Sequence, residues 1–251
     1  PDYLPSNTSA TWTLTNVGTA GAKWDSSFEG GFKNSALTSA SVKMTGSGGA
    51  APTSQARQFF GCERLSSIDL SAWTVAASAD VSSQFEGCGA IKVIGTAAGN
   101  GNLAISASQS QATTTNRSRQ FANMTSLNTA QIYNLTQNGA VNLDSLFEGT
   151  KAATSITLTS NTNVGSALSM RRAFAECAAL TTLDMSGIGN ANMAGLVSSS
   201  DTWGIANSGM SELFAGATNI VTATGGASPK AATISIGAYT QKLINGFFAY
   251  R

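Results

Sequence analysis

Apolar residues recur along this chain at a fixed set of steps. Phe174 is followed at +3, +6, +9 and +11 by Cys177, Leu180, Leu183 and Met185. Phe59 is followed in the same steps by Cys62, Leu65, Ile68 and Leu70, Phe121 by Met124, Leu127, Ala130 and Ile132, and Phe147 by Thr150, Ala153, Ile156 and Leu158. Phe85 begins the same way with Cys88 and Ile91. A period of about 26 residues predicts a repeat architecture. The alternation at +9 and +11 predicts a short strand with two inward residues. An apolar residue stands four before most of these aromatics, as in Trp24/Phe28, Val81/Phe85, Leu143/Phe147, Met170/Phe174 and Met210/Phe214. That spacing predicts a short helical turn ending near each Phe.

Strands are expected at Trp12/Leu14, Ala40/Val42, Ile68/Leu70, Leu103/Ile105, Ala130/Ile132, Ile156/Leu158, Leu183/Met185 and Ile234/Ile236. The distance from each second inward residue to the next Phe is nearly constant, which favours Leu103/Ile105 over Ile94 for the third full repeat. Residues 1–10, with two prolines, read as an N-terminal arm and 11–237 as the repeat region. Gly-, Ser- and Asn-rich insertions interrupt it near 92–102, 187–208 and 221–232, as surface loops do. The last stretch, 238–251, carries Leu243, Phe247, Phe248 and Tyr250. It either caps the open end of a stack or offers its aromatics to a neighbouring subunit.

The segment FFGCERLSSIDLSAWT, from Phe59 to Thr74, followed by a second F-x-G-C at Phe85, resembles the BspA-type leucine-rich repeats. It resembles more closely the repeat of bacterial surface lipoproteins, F-x-G-C-x-x-L-x-x-L-D-L-S-x-W-x-T. The run from Arg172 to Gly187 matches again through Phe174, Cys177, Leu180, Leu183, Asp184, Met185 and Ser186, with weaker copies at Phe147 and Phe214. The resemblance implies an α/β repeat fold: a leucine-rich-repeat-like solenoid of about seven or eight irregular repeats. One face would be a parallel sheet, the other short helices or turns. It also implies binding or adhesion and no enzyme activity, because such repeats are common on bacterial surface proteins and occur in some phage proteins.

In such a stack the residue between the two inward positions faces outward. The expected ladder is Thr13, Ser41, Asp69, Ala104, Gln131, Thr157, Asp184 and Ser235, a nearly neutral face rich in hydroxyls. It reads either as a flat docking surface for a protein or glycan, with Asp69, Gln131, Thr157 and Asp184 its most distinctive members, or as an ordinary solvated sheet. Trp203, in the longest insertion, is either a binding anchor or a pin for its loop. Phe248 and Tyr250 are the candidate contacts at the C-terminal end.

Composition narrows the chemistry. Only 11% of residues are charged and the net charge is +1, unlike a nucleic-acid-binding surface. There is no histidine, which removes Ser-His-Asp and Cys-His mechanisms. Asp69 and Asp184 fall four rungs apart, roughly 20 Å at the strand spacing, too far for joint acid–base work. No cofactor or metal is expected. Cys62 and Cys88 fall on adjacent rungs, so they are either buried thiols or a disulfide pair. Glu29, Glu86 and Glu148 each follow a repeat Phe and read as solvated; Arg117, Arg119, Arg171 and Arg172, just before theirs, read as solvated faces or subunit contacts rather than as an anion site.

No apolar run is long enough to span a membrane. The start, PDYLPSNTSA, lacks a secretory pattern, and Pro1 is compatible with loss of an initiator Met. These features lead to the expectation of a non-enzymatic virion component of a phage (capsid decoration, cement, or a fibre- or tail-associated protein). It would be oligomeric or part of a larger assembly with other virion or surface proteins. The rival expectation is an extracellular bacterial adhesin, its signal already removed, that binds a host-surface protein or glycan.

Overall fold

The computed structural model describes residues 9–16, 39–46, 54–72, 80–105, 116–133, 141–159, 168–184, 212–219 and 233–235. Its strands are β1 (Ser9–Asn16), β2 (Ser39–Gly46), β3 (Leu65–Ala72), β4 (Val93–Gly95), β5 (Asn102–Ile105), β6 (Thr129–Tyr133), β7 (Val141–Asn142), β8 (Ser155–Thr159), β9 (Leu168–Ser169), β10 (Thr182–Asp184) and β11 (Thr233–Ser235). Nine of them form one sheet in the order β1-β2-β3-β5-β4-β6-β8-β10-β11, and every pairing is parallel. β7 and β9 make a second, two-stranded parallel pair. Isolated bridges extend that ladder through Ser54, Asp80, Asn116 and Asn142.

Between these two ladders lie the repeat aromatics. Phe59, Phe85, Phe121, Phe147, Phe174 and Phe214 form one continuous stack, with successive ring centroids 5.6, 5.8, 5.2, 6.1 and 5.8 Å apart and planes within 22° of parallel. The other repeat positions stack in columns of their own. Leu65, Ile91, Leu127, Ala153 and Leu180 are buried at +6, and Ile68, Ile94, Ala130, Ile156 and Leu183 at +9. The core is therefore a set of like-on-like columns running across the strands.

The segment around each Phe differs from the expected helical turn. Among the described residues there is no helix. The chain instead makes overlapping β-turns, and alternate N–H groups leave the segment altogether. Around Phe147, the N–H groups of Leu146, Glu148 and Thr150 donate to the carbonyls three residues back. Those of Leu143, Ser145, Phe147 and Gly149 donate to Ser169, Arg171, Ala173 and Ala175 on the next rung. The same alternation recurs around Phe59, Phe85 and Phe121. The i, i+4 apolar spacing is satisfied because the residue four before each Phe also points inward; Val81, Leu143 and Met170 are all fully buried. A helix would have kept every N–H for itself and left the rungs unjoined.

Such turns need left-handed residues. Two per rung have positive φ, two before and two after the Phe: Arg57 and Gly61, Ser83 and Gly87, Arg119 and Asn123, Ser145 and Gly149, Arg172 and Glu176, Glu212 and Gly216. The second position is usually glycine, which enters this region without steric penalty. This is the physical content of the F-x-G motif.

Two strand placements are corrected. β1 pairs with β2 through Trp12↔Val42 and Leu14↔Met44, and β2 with β3 through Val42↔Ile68. Val42/Met44, not Ala40/Val42, thus hold the register positions opposite Trp12/Leu14. A slip of two leaves every side chain on its expected face, so alternation alone does not distinguish the registers. Second, Ile94 lies in the ladder as well as Leu103. β4 keeps the regular +9 position and pairs with β6 through Ile94↔Ala130. β5 is an extra strand inserted between β3 and β4, through Ile68↔Leu103 and Ile94↔Leu103. The expected insertion near 92–102 is thus in part sheet. Parallel neighbours normally need a long crossover. Here β4 is only three residues long, about 10 Å at the strand rise, so the six residues 96–101 suffice to return.

Phe121→Ala should cost about 3–5 kcal/mol of folding free energy in urea titrations followed by circular dichroism; a loss below about 1 kcal/mol would show that the column is not the core. A methyl at Gly149 would collide with Asn123 Oδ1, on a backbone with φ of 77°. Gly149→Ala is therefore expected to destabilise by about 1–2 kcal/mol or more in the same assay.

Candidate functional site

The outward row of the sheet follows from the register. Thr13 pairs with Lys43, Lys43 with Asp69, and Asp69 with Ala104. Ala104 pairs with Gly95, and Gln131, Thr157, Asp184 and Ser235 continue across β6, β8, β10 and β11. Lys43 thus takes the place expected for Ser41, and Gly95 is an added member. The neighbouring row, Thr129, Ser155, Thr182 and Thr233, is hydroxyl-bearing on every rung. Val93, between Asn102 and Thr129, interrupts that row at 36% exposure and is the one large apolar side chain that is exposed among the described residues.

The candidate face residues divide. Gln131 is exposed, and Thr157 and Asp184 are half-buried beside it on consecutive strands. Asp69 departs from the expected exposure. It is 9% exposed, and its Oδ1 accepts hydrogen bonds from the Ser71 N–H at 3.0 Å and the Ser71 hydroxyl at 2.5 Å. Asp69 thus spends one carboxylate oxygen on its own strand. Ala104 is buried too, its single methyl flanked by the rungs of Asp69 and Gly95. Among the strands whose outward side chains are described, the exposed part of the row is therefore that on β6, β8 and β10. With β5 inserted, Asp69 and Asp184 are five strand steps apart, about 24 Å, so they share no chemistry. Trp203, Phe248 and Tyr250 lie outside the described residues, as do the insertions 187–208 and 221–232.

The opposite wall carries polar groups that the sequence reading assigned to solvent. Glu86, Arg119, Glu148, Arg172 and Glu212 form one alternating ion ladder over five rungs. Arg119 Nη2 is 2.7 Å from Glu86 and its Nη1 3.4 Å from Glu148; Arg172 Nη2 is 2.9 Å from Glu148 and its Nη1 reaches Glu212. Three of these residues, Arg119, Arg172 and Glu212, occupy the left-handed position two before a Phe. The hydrogen bond to Glu86 raises the Arg119 pKa above its ordinary value, and the bond to Glu148 does the same for Arg172. Burial pushes the Glu148 carboxyl up, but its bonds to Ser145 and Arg172 and both guanidinium charges outweigh that and hold it below the usual carboxylate range.

Arg117 is not solvated either. It is 2% exposed and heads a buried amide column. Its Nη1 donates to Gln120 Oε1 at 2.9 Å, Gln120 Nε2 donates to Gln84 Oε1 at 3.0 Å, and Gln84 Nε2 donates to Gln55 at 2.6 Å and Gln58 at 3.0 Å. Burial lowers the Arg117 pKa to about 9, so it remains a cation at neutral pH. A second missed signal is a column five residues before each Phe. Ser54, Asp80, Asn116 and Asn142 each accept the N–H two residues on, as Asx- and Ser-turns do. The spacing S/D/N-x₄-F was available in the sequence.

The cysteines are structural. Cys62, Cys88 and Cys177 are buried thiols, so the bridge that adjacency left open between Cys62 and Cys88 is not formed. Cys177 Sγ donates to the Phe147 carbonyl at 3.2 Å, and burial raises its pKa to about 11. Burial likewise raises Cys88. Thiols held protonated are poor nucleophiles. Among the described residues no three His, Cys, Asp or Glu side chains converge on a metal-sized site. No described helix is long and apolar enough to cross a membrane. Comparison with protein-family models, characterised proteins and solved structures finds no match.

The lowered Glu148 pKa gives a pH prediction. A carboxylate with a depressed folded pKa contributes stability above its unfolded pKa, near 4.3, and loses it as pH falls through the folded value. Glu148→Gln should lower stability by about 1 kcal/mol at neutral pH and flatten the fall in melting temperature below about pH 4.5. An unchanged acid limb would show that the ion ladder contributes nothing.

Proposed function

We propose that this chain is a leucine-rich-repeat-like solenoid that works by assembly and not by catalysis, as a component of a phage virion. The observation that carries the assembly reading is the sheet: nine parallel strands whose outward face at β6, β8 and β10 presents Thr129, Gln131, Ser155, Thr157, Thr182 and Asp184 in register. The solenoid reading is supported by the Phe stack and by the hydrogen-bond pattern that returns with every Phe. Short hydroxyl side chains such as Ser and Thr lose less rotamer entropy on contact than long ones, and a pre-formed face avoids the ordering cost of binding. The neutral, Ser/Thr/Asn-rich composition and the F-x-G-C resemblance support a particle surface, and a second copy or another coat protein is the partner such a face suits.

Native mass spectrometry and electron microscopy of the source material test the placement. The expected outcome is the chain as a stoichiometric part of a large particle. Recovery only as a monomer would overturn the virion reading, and recovery from a bacterial envelope would favour the adhesin. The face is tested by the double substitution Gln131→Arg with Thr157→Arg. Two added charges at the centre of the row should weaken incorporation or partner binding at least tenfold, about 1.4 kcal/mol, with the melting temperature unchanged. Undiminished assembly would move the interface elsewhere.

A further inference from the structure

The buried guanidinium at the head of the amide column is incompletely matched. Nη1 of Arg117 is used by Gln120, whereas Nε and Nη2 are buried and make no hydrogen bond. These two nitrogens share one edge of the guanidinium and present parallel N–H groups, the edge that takes oxyanions and halides two-pronged. Every hydrogen-bonded partner in the column, Gln120, Gln84, Gln55 and Gln58, is a neutral amide. On the neighbouring rungs the positions equivalent to Arg117 are Val81 and Leu143, both apolar. The chain leading into this rung, 106–115, and the chain leading into the next, 134–140, contain no acidic residue. The described carboxylates nearest in sequence are engaged elsewhere: Asp80 with Ser82 and Asn116, Asp144 with Ser169 and Arg171, Glu86 and Glu148 with Arg119. A buried cation without a counter-charge is among the least favourable arrangements in a protein interior.

We propose that Arg117 holds a small monovalent anion, of the chloride or bromide kind, against its Nε–Nη2 edge inside the stack. A single guanidinium among neutral amides balances one negative charge; a dianion would remain half-neutralised. A water molecule could accept the same two N–H groups but would leave the charge unmatched. The anion would close the amide column at the rung where it gives way to Leu143 and Leu146, and so fix which rungs stack there.

The test is the melting temperature of the whole chain as sodium chloride replaces sodium gluconate at constant ionic strength, gluconate being too large to enter. Chloride should give a saturable rise of about 3 °C at tenfold excess over its dissociation constant. Arg117→Gln, which extends the amide column without the charge, should abolish that rise, and Arg117→Lys, a cation without the fork, should weaken it. Equal melting temperatures in the two salts, or the same rise in Arg117→Gln, would overturn the proposal. Should Arg117→Gln fail to fold, chloride NMR of the unaltered chain decides: saturable line broadening, reversed by bromide, is expected, and broadening no greater than that caused by a protein without a halide site would overturn it.

Discussion

Everything in this molecule depends on the N–H groups that the turn segments give away. At alternate residues around Phe59, Phe85, Phe121 and Phe147 the amide donates to the following rung, always in the direction of the later repeat. This fixes the register of one rung on the next to the residue. Fixed register puts each Phe over the last, and near-parallel rings 5.2 to 6.1 Å apart are the result. The +6 and +9 columns and the parallel strands then follow, because from Phe59 to Phe174 the chain between Phe and strand has constant length. A single inserted residue within that span would break alternation on one side or the other. On those rungs extra chain is accordingly found after a strand or, at 96–101, between two of them; the exception is the last, where Ile234 pairs with Leu183 but follows Phe214 by twenty residues and not nine.

The same turns create a second constraint. Each needs a left-handed residue two before the Phe, and none of the six in the structure is glycine. A non-glycine residue there costs roughly 1–2 kcal/mol. At three rungs the ion ladder offsets part of this, because Arg119, Arg172 and Glu212 are placed where they reach Glu86 and Glu148. The Ser, Asp and Asn column five before the Phe satisfies one further N–H per rung. Strain, capping and charge pairing are thus arranged along one rim, with like positions doing like work on successive rungs.

Much of this was legible in the sequence, and the failures have physical reasons. The Phe, +3, +6 and +9 positions are readable because each is buried on all the rungs from Phe59 to Phe174. Apolar spacing of four before the Phe pointed to a helix, since periodicity records which residues face inward and not where their N–H groups bond. The near-constant count to the next Phe favours Leu103/Ile105 over Ile94 because a count registers one strand per repeat; the strand of Ile94 stops at Gly95, and Thr96, at +11, is exposed. Ala40/Val42 and Val42/Met44 alternate equally well, so parity does not choose between them. Arg117 in the run Asn-Arg-Ser-Arg looked like its neighbour Arg119, yet one points into the core and the other to the rim. That difference comes from the turn alternation, which composition does not reveal. Parity puts Asp69 on the face, but parity does not report exposure, and Asp69 is 9% exposed with Ser71 on one carboxylate oxygen.

These differences change where recognition is to be sought. The Glu and Arg side chains of the ion ladder already answer one another, which leaves little field there for a partner. The Phe stack and the amide column are enclosed. Of the face, the part at β3 and β5 is closed over by the burial of Asp69 and Ala104. Among the strands whose outward side chains are described, the exposed part is the patch on β6, β8 and β10, where Gln131, Thr157 and Asp184 stand in register. A surface with so few charges and such short side chains discriminates by shape and hydrogen-bond register more than by electrostatic steering. Its specificity would therefore depend on rung spacing, and so on the same inter-rung amide bonds that align the aromatic column.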